Sequence, residues 1–236
     1  MSLHGIDLWL LFRLNQINAS RRLAGSVFLY FGSNRLLSES PVFLPLVALW
    51  FAPAFKPMRS RALLGIIGTC LATVLSVGSQ YYVHSHTRPF LDPALHLQRV
   101  DKKSTEHWDH TESFPSDTVT LLVGFSTVVF LQSRLAGAIA LLWSVLVVGG
   151  TRVAMGWHYP SDILGGLCIG IICVLVLWSM RSVTVRVDRL LLLCEPRIYI
   201  VDAVLFMFLA DAYSMFAGIH GVLHWTLAAF GHRAAP

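Results

Sequence analysis

The residue types best suited to chemistry lie together in one short stretch, Gly150 to Asp162, with the sequence GTRVAMGWHYPSD. It contains a histidine, His158, with the carboxylate of Asp162 four residues later and the guanidinium of Arg152 six residues earlier. Pro160 suits the first position of a helix, because its missing N–H is not needed there. Asp162 would then lie in the first helical turn, where the helix dipole favours a negative charge.

This spacing allows Asp162 to accept the Nδ1 hydrogen of His158. Such a hydrogen bond fixes the tautomer and leaves Nε2 free to attack an electrophile, as in a catalytic triad. A second interpretation is equally open at this point: Asp162 only starts a helix, and His158 is an ordinary loop histidine. The residue types and their spacing do not decide between the two.

The pattern of Thr151-Arg152, five residues, His158, three residues and Asp162 resembles the third signature of the type 2 phosphatidic acid phosphatase superfamily. That superfamily includes vanadium haloperoxidases and bacterial polyprenyl-pyrophosphate phosphatases. Its third signature usually begins Ser-Arg, so Thr151 keeps the hydroxyl group. The resemblance implies that His158 attacks phosphorus and forms a phosphohistidine, and that Asp162 steadies the ring. It also implies that Arg152 and Thr151 help to hold the phosphate.

Arg88-Pro89 resembles the first signature of the same superfamily, in which a lysine precedes the arginine by seven positions. Here that position is Tyr81, with Gln80 beside it, so the lysine contact is missing. An arginine can hold phosphate oxygens in a bidentate fork, and this is the role the resemblance implies for Arg88. The alternative is that Arg88 is an interfacial anchor.

Phe114-Pro115-Ser116-Asp117-Thr118 lies where the superfamily usually shows Pro-Ser-Gly-His at the start of a span. Pro115 and Ser116 suit a helix N-terminus, whose free N–H groups can bind an anion, and plain N-capping by Ser116 is compatible with that role. Thr118 replaces the histidine that protonates the leaving group in the superfamily. A threonine hydroxyl is too weak an acid to do so.

Two nearby residues are candidates for a substitute acid. Asp117 adjoins Thr118, and His110 is the histidine nearest in sequence to Ser116, although an exposed loop histidine is more often a bystander. A metal site is a separate alternative that uses four loop histidines whose spacing prescribes no geometry. These are His84, His86, His107 and His110. The chemistry that the resemblance implies requires no metal, and we expect no cofactor.

Composition indicates an all-α integral membrane protein. Of the 236 residues, 55% are hydrophobic and 13% are charged, whereas a soluble domain carries about 25% charged residues. The mean hydropathy is +0.63. The formal net charge is +5, but the basic residues cluster in short connections between apolar runs. This distribution indicates membrane topology more than nucleic-acid binding, which needs a continuous basic face. The four cysteines show no metal-like spacing and are expected to be buried thiols.

The apolar runs predict about six transmembrane helices in a single domain, residues 1–236. The expected spans are residues 41–55, 61–83, 116–132, 135–153, 161–180 and 198–219. Before them, residues 3–31 within the N-terminal region 1–38 are expected to form an amphipathic helix at the membrane surface, with spanning as the alternative. Its apolar positions are Ile6, Leu10, Leu14 and Ile17. A basic linker, the last span and a tail occupy residues 181–236.

Basic residues follow the first, third and fifth expected spans, and the positive-inside rule places these ends in the cytoplasm. They are Lys56, Arg59, Arg61, Arg134, Arg181, Arg186, Arg189 and Arg197. The loop of residues 84–115 and the turn that carries His158 then face outward together. This arrangement predicts a bacterial inner-membrane protein whose site faces the periplasm.

The predicted function is hydrolysis of a lipid-linked phosphate or pyrophosphate, with a polyprenyl pyrophosphate as the expected substrate. The expected partners are this substrate and membrane lipids, without nucleic acid, and the oligomeric state is left open. Two alternatives stay open. The first is a phosphotransferase that passes the phosphoryl group from His158 to another lipid. The second is a catalytically degenerate protein that binds or moves a phospholipid, suggested by Tyr81 and Thr118 in place of the lysine and the histidine.

Overall fold

The computed structural model describes residues 3–19, 23–82, 87–98 and 112–214. Within these ranges the regular structure is helical, and no strand is present. The chain divides into two compact units, Met1–Val185 and Arg186–Pro236. The prediction of one domain over residues 1–236 stays a prediction.

The first unit is built from eight α-helices among the described residues, and a ninth crosses its boundary. They are α1 (Leu3–Ala19), α2 (Leu23–Ser33), α3 (Arg35–Phe51), α4 (Arg59–Tyr82), α5 (Asp117–Gln132), α6 (Arg134–Leu142), α7 (Gly150–Ala154), α8 (Pro160–Ser179) and α9 (Arg181–Cys194). Short 3₁₀ helices occupy Pro53–Met58, Pro89–Leu91 and Pro93–Leu95. A π-helix, Trp143–Gly149, joins α6 to α7.

Three continuous helical segments among the described residues are long and apolar enough to cross a membrane. They are Pro53–Tyr82 with 30 residues, Arg134–Ala154 with 21 and Pro160–Ser179 with 20. Helix α5 is also apolar but has only 16 residues, fewer than the ~20 that a bilayer core demands. The chain is therefore an all-helical protein with membrane-type helices, and the count of six spans stays a prediction.

Helices α4, α5 and α8 pack against one another and form the centre of the first unit. Small residues allow α8 to approach α5 closely, as is common between membrane helices. A Cβ atom on Gly170 would lie 2.8 Å from the carbonyl oxygen of Thr120, and one on Gly166 would lie 2.8 Å from that of Ser116. These two glycines bring the start of α5 against the start of α8.

Besides its apolar core, the first unit buries several polar side chains and exposes several large apolar ones. Thr69, Ser126 and Ser144 are wholly buried, and the hydroxyl groups of Ser126 and Ser144 lie 3.1 Å apart. Leu44 and Leu135 are more than two-thirds exposed. This distribution suits a surface that faces lipid, in which polar groups must be satisfied within the bundle.

Helix α1 packs against α7, and its buried face differs from the predicted one. Leu11 is wholly buried and Asn15 is 6% exposed, whereas Ile6 and Ile17 from the expected apolar stripe are about 40% exposed. The buried face of α1 is therefore the one that carries Leu11 and Asn15, because this face packs against α7. The placement of α1 at a membrane surface stays a prediction.

The cysteine expectation is wrong in part. Cys168 and Cys194 are exposed, and Cys70 and Cys173 are only partly buried. Cys168 lies on α8, a membrane-type helix on which side chains that point away from the bundle meet lipid instead of protein. An apolar neighbourhood in sequence therefore did not imply burial within the protein.

The second unit contains the end of α9, a 3₁₀ turn at Glu195–Arg197 and α10 (Ile198–Tyr213). Its buried apolar side chains among the described residues are Leu205, Leu209 and Ala212, while Val204 and Met207 are largely exposed. Residues 183–193, in which apolar and polar side chains partly alternate, are helical within α9. A lone strand would leave backbone groups unpaired in a membrane protein.

Candidate active site

The turn that carries His158 begins at a glycine-capped helix end. Gly156 has a φ of +72°, a left-handed conformation that glycine adopts at little cost. Its N–H donates to the carbonyl of Val153, and the N–H of Trp157 donates to the carbonyl of Arg152, at 2.9 and 3.0 Å. These two bonds form a Schellman motif that ends α7 and turns the chain sharply toward His158.

Helix α8 then begins at Pro160, as the sequence predicted. Asp162 is the third residue of this helix, and its Oδ2 accepts the backbone N–H of Tyr159 at 2.7 Å. The carboxylate therefore satisfies one of the N–H groups that a helix leaves without an internal partner. This part of the plain helix-start interpretation is correct, and it coexists with a second contact to His158.

His158 is 1% exposed and is held by two groups at Nδ1. The carbonyl oxygen of Ser113 lies 2.9 Å away, while Asp162 Oδ2 lies at 3.5 Å. A carbonyl oxygen can only accept, so Nδ1 carries the hydrogen in this contact. The hydrogen that the sequence assigned to Asp162 thus goes mainly to Ser113, and Asp162 serves as a nearby negative charge.

With its hydrogen on Nδ1, the ring presents the lone pair of Nε2 to Arg88. The distance from Nε2 to Arg88 Nη1 is 3.4 Å. Burial lowers the pKa of His158 below its ordinary value of 6.5, and the charge of Arg88 acts in the same direction, while Asp162 opposes them. The neutral, nucleophilic form of the imidazole is therefore favoured near neutral pH.

Arg88 is 4% exposed and is positioned by backbone and side-chain groups from two other segments. Its Nη1 lies 3.4 Å from the carbonyl oxygen of Trp157, and its Nη2 lies 3.4 Å from Gln80 Oε1. Gln80 Nε2 in turn donates to the carbonyl of Pro115 at 2.7 Å. Burial lowers the pKa of Arg88, with Asp117 and Asp162 acting the other way. The guanidinium nonetheless keeps its charge.

Arg152 lies over the ring of Trp157, with 5.1 Å between its guanidinium carbon and the ring centroid. It interacts electrostatically with the carboxylates of Asp117 and Glu39, and with Arg88 as a like charge. Among the described residues, no hydrogen-bond partner meets its buried Nε. Two guanidinium groups are therefore brought into one electrostatic neighbourhood, which suits an anion.

Ser116 links the start of α5 to the start of α8. Its N–H donates to the carbonyl of Asp162 at 3.1 Å. It is the N-cap residue of α5, as predicted, but its hydroxyl makes no capping bond. That buried hydroxyl has no hydrogen-bond partner in the described part of the chain, and the same is true of Thr151 Oγ1, which packs against Gly32 of α2.

Of the two candidates for a substitute general acid, Asp117 and His110, the structure describes only Asp117. Asp117 is half-buried at the first position of α5, and its charge acts on His158 as well as on both arginines. Thr118 is 4% exposed. His110 lies outside the described residues, as do His84, His86 and His107, so the metal alternative made from them is untested. His96, the remaining loop histidine, is exposed.

The structure brings together His158, Asp162, Arg88 and Ser116, which come from three separate signatures. Sequence reasoning missed the Ser113 carbonyl, because a backbone acceptor leaves no signal in residue type. It also assigned no role to Gln80 or Trp157. Their positions in the sequence could have pointed to them, because Gln80 directly precedes the position of the missing lysine and Trp157 directly precedes His158.

A bundle of membrane-type helices with a buried histidine beside a buried arginine defines the class as a helical, membrane-type protein with a polar site at one end of the bundle. The family model described as the PAP2 superfamily matches residues 61–186, more than half of the chain. The chain belongs to the PAP2 superfamily. The match includes Arg88, Ser116, Arg152, His158 and Asp162, and it begins after α1, α2 and α3.

Three curated relatives match at low identity. The chain is 32% identical over 141 residues to the bacitracin transport permease protein BcrC of Bacillus licheniformis, which covers 58% of the chain and 63% of that relative. It is 29% identical over 138 residues to the "Putative undecaprenyl-diphosphatase YbjG" of Escherichia coli (strain K12), with coverage of 58% and 64%. It is 26% identical over 132 residues to the undecaprenyl-diphosphatase BcrC of Bacillus subtilis (strain 168), with coverage of 55% and 62%.

In each of these comparisons the chain spans less than two-thirds of the relative's length. No solved structure matches the chain significantly.

Proposed function

We propose that this protein is a membrane phosphatase that hydrolyses a lipid-linked pyrophosphate through a phosphohistidine at His158. The observation that carries the proposal is the orientation of the ring, with Nδ1 bonded to the Ser113 carbonyl and Nε2 3.4 Å from Arg88. An unprotonated ring nitrogen beside a guanidinium can attack an electrophile that the guanidinium binds. A phosphoryl group is an electrophile of this kind and carries negative charge.

In the first step, the lone pair of Nε2 forms a bond to the terminal phosphorus while the bond from phosphorus to the bridging oxygen breaks. Arg88 and Arg152 stabilise the equatorial oxygens, on which charge is concentrated in the transition state. The ring gains positive charge as the P–N bond forms. Asp162 at 3.5 Å and the Ser113 carbonyl then stabilise the Nδ1–H.

In the second step, water attacks the same phosphorus and the P–N bond breaks. The electron pair of that bond returns to Nε2, so the ring is again neutral with its hydrogen on Nδ1. The proton that water loses passes to the released phosphate. No oxidant, reductant or metal is needed to balance either step.

The leaving group determines which substrates react well. A phosphate monoester expels an alkoxide, which needs a proton in the transition state. A pyrophosphate expels a phosphate monoester, whose second pKa of about 6 makes it stable without that proton. General acid catalysis typically contributes about 10²–10⁴-fold. With Thr118 at the position of the usual histidine, the site favours a pyrophosphate.

A polyprenyl pyrophosphate fits this chemistry and the apolar surface of the bundle. The relative from Bacillus subtilis is an undecaprenyl-diphosphatase by name, which supports the same substrate class here. The basic ends of the expected spans favour a site that faces the periplasm of a bacterial inner membrane.

The test is phosphate release from undecaprenyl pyrophosphate and from phosphatidic acid by the purified protein in detergent. We expect the pyrophosphate to react about 10²-fold faster or more. Thr118→His should raise turnover of phosphatidic acid more than that of the pyrophosphate, because it restores an acid. Thr118→Val, which keeps the size of the side chain, is the matched control and should change neither rate much.

Equal turnover of both substrates would contradict the leaving-group argument. If Asp117→Asn or His110→Ala then removed only the phosphatidic acid activity, the altered residue would be the substitute acid. Label transferred to a lipid acceptor, instead of to free phosphate, would identify a phosphotransferase. A phosphohistidine that still forms in His158→Ala would exclude the central assignment.

A further inference from the structure

The N-terminal helix α1 lies outside the residues that the family model matches. It nevertheless contacts the turn that carries His158 on both sides, at Ala154 and at Ser161. One contact is to the start of α8, just after His158. The other is to the end of α7, just before the Gly156 turn. The two contacts come from polar side chains on the same face of α1, Asp7 and Asn15, which are separated by two helical turns.

Asp7 binds the first turn of α8. Its Oδ1 accepts the backbone N–H of Ser161 at 2.9 Å. This N–H belongs to the group that a helix cannot satisfy internally, and a carboxylate at this position also interacts favourably with the helix dipole. Asp162 binds the N–H of Tyr159 next to it. Two carboxylates, one from α1 and one from α8 itself, therefore hold the segment that follows His158.

Asn15 binds the end of α7. Its Nδ2 donates to the carbonyl oxygen of Ala154 at 2.9 Å, and this carbonyl belongs to the last turn of the helix. The same side chain bonds to the backbone of Gln98, with Nδ2 3.3 Å from its carbonyl and Oδ1 3.2 Å from its N–H. Asn15 thus connects α1, the end of α7 and the outward-facing loop.

Leu11 lies between these two residues on the same face of α1. It is wholly buried in a cluster with Val153 and Tyr159, which flank the turn in sequence. Residues 7, 11 and 15 follow the four-residue spacing of one helix face. Polar contacts at the two ends and an apolar contact between them therefore fix α1 across residues 154–161.

We propose that α1 is a clamp, in which Asp7 and Asn15 are positioning residues that hold His158 in its reactive orientation. This inference rests on the proposed role of His158 as the nucleophile. Asp7 and Asn15 act through the backbone of Ser161 and Ala154, and His158 lies between those two anchor points. Release of either anchor lets the turn move relative to Arg88, which Gln80 holds from α4.

The kinetic test uses the full-length protein in detergent, with kcat and KM measured on undecaprenyl pyrophosphate. Asp7→Ala and Asn15→Leu should lower kcat up to about 100-fold, with a smaller change in KM, because a small misplacement of the reacting groups is costly. Asp7→Asn keeps an oxygen acceptor for Ser161 and should recover most of kcat. Gln16→Ala, an exposed neighbour on α1, is the control and should match the wild type.

Unchanged kcat in both Asp7→Ala and Asn15→Leu would overturn the clamp. Equal impairment of Asp7→Asn and Asp7→Ala would also count against it, since the acceptor is retained in only one of them. If Asp7→Ala does not fold, Asn15→Leu and Asn15→Ser provide the same comparison.

Hydrogen exchange provides a readout that does not depend on catalysis. In Asp7→Ala and Asn15→Leu, the amides of residues 156–162 should exchange faster than in Gln16→Ala, while those in the middle of α5 should not change. Equal exchange in all variants would overturn the clamp whatever the activity. If the wild type releases no phosphate but the exchange pattern is as expected, the proposed function fails, whereas the anchoring of residues 156–162 by α1 stands without its catalytic purpose.

Discussion

At the scale of single residues, the tautomer of His158 decides what the site can do. Its Nδ1 hydrogen faces the Ser113 carbonyl, so the nucleophilic nitrogen is the one that faces Arg88. Asp162 is not the main acceptor, but its charge raises the pKa of His158 against the larger effect of burial. Because burial and Asp162 shift the pKa of His158 in opposite directions, the pH dependence of the activity tests both effects.

The activity of the protein should decline on the acidic side with a midpoint below pH 6.5, because burial lowers the pKa of His158. The neutral ring is the nucleophile, so activity is present above the folded-state pKa and is lost as pH falls through it. Asp162→Asn should move this midpoint further down, since the residue that raises the pKa is removed. The measurement is kcat/KM against pH, which reports groups of the free enzyme.

Asp92→Asn, which alters a carboxylate between the two 3₁₀ turns Pro89–Leu91 and Pro93–Leu95, is the control and should leave the midpoint in place. A midpoint above 6.5 in the wild type, or an upward shift in Asp162→Asn, would contradict this assignment. The same lowered pKa predicts that the free energy of unfolding also decreases as pH falls from 6.5 through the folded-state pKa, because the unfolded chain binds the proton first.

Gln80 connects the first and second signatures and should be needed to orient Arg88. Gln80→Leu removes the hydrogen bonds of Gln80 to the Pro115 carbonyl, which then keeps the longer contact to Ser76 Oγ at 3.4 Å, and to Arg88 Nη2. The loss of a partner by a buried polar group costs up to about 1–3 kcal/mol. We expect KM for the pyrophosphate to rise at least about fivefold. Tyr82→Leu is the control, because Tyr82 is 86% exposed. A larger effect from Tyr82→Leu than from Gln80→Leu would refute the role of Gln80.

At the scale of elements, the site depends on where helices begin and end. The starts of α5 and α8 lie side by side, joined by the bond from Ser116 N–H to the Asp162 carbonyl. A π-helix, Trp143–Gly149, directly precedes α7, and π-helical segments often occur near functional sites. Close packing at Gly166 keeps the two helix starts in register.

Gly166→Ala should destabilise the protein and lower its activity. Its Cβ would lie 2.8 Å from the Ser116 carbonyl, so α5 and α8 must move apart. Overpacking of this kind costs about 1–3 kcal/mol, and over most of this range the cost exceeds the ~1 kcal/mol that alanine gains over glycine in a helix. Gly78→Ala is the matched control, because a Cβ there meets nothing within 4 Å.

Thermal melting in detergent is the measurement for this pair, with kcat determined on the same samples. The melting temperature should fall for Gly166→Ala and stay level or rise for Gly78→Ala. Equal melting temperatures and equal kcat values would show that α5 can accommodate the methyl group without moving its N-terminus.

At the scale of the whole molecule, the distribution of polar and apolar side chains in the first unit suits a membrane. Several hydroxyl groups and the charged groups of the candidate site are buried inside the first unit, while many large apolar side chains are exposed on its surface. The ends of α4 and α7 and the starts of α5 and α8 meet at one end of the bundle, where His158 lies. All residues of the candidate site that come from separate signatures therefore share one membrane side.

A cysteine at position 96 should react with an impermeant thiol reagent added outside intact cells, whereas one at position 56 should react only after permeabilisation. His96 and Lys56 are both exposed, and the long helix α4 separates them in the chain. The four native cysteines are first replaced by serine, and that protein without a new cysteine is the control. The reverse labelling pattern would place the site in the cytoplasm and exclude an outer-leaflet substrate.

The sequence alone was sufficient for the family, the helical class and the start of α8 at Pro160. These features depend on local patterns, since apolar runs, a proline at a helix start and signature spacings are read over a few neighbouring residues. Arg88, Ser116 and His158 could be grouped before the fold was known, because each lies in a signature of the superfamily.

Only the tertiary structure decided which groups touch. The Nδ1 hydrogen of His158 goes to the Ser113 carbonyl, and Gln80 binds both Arg88 and Pro115. Asp7 and Asn15 hold the turn from a helix more than 130 residues away in sequence. Backbone acceptors look the same in every residue type, and long-range contacts depend on how helices pack, so neither could be read from spacing along the chain.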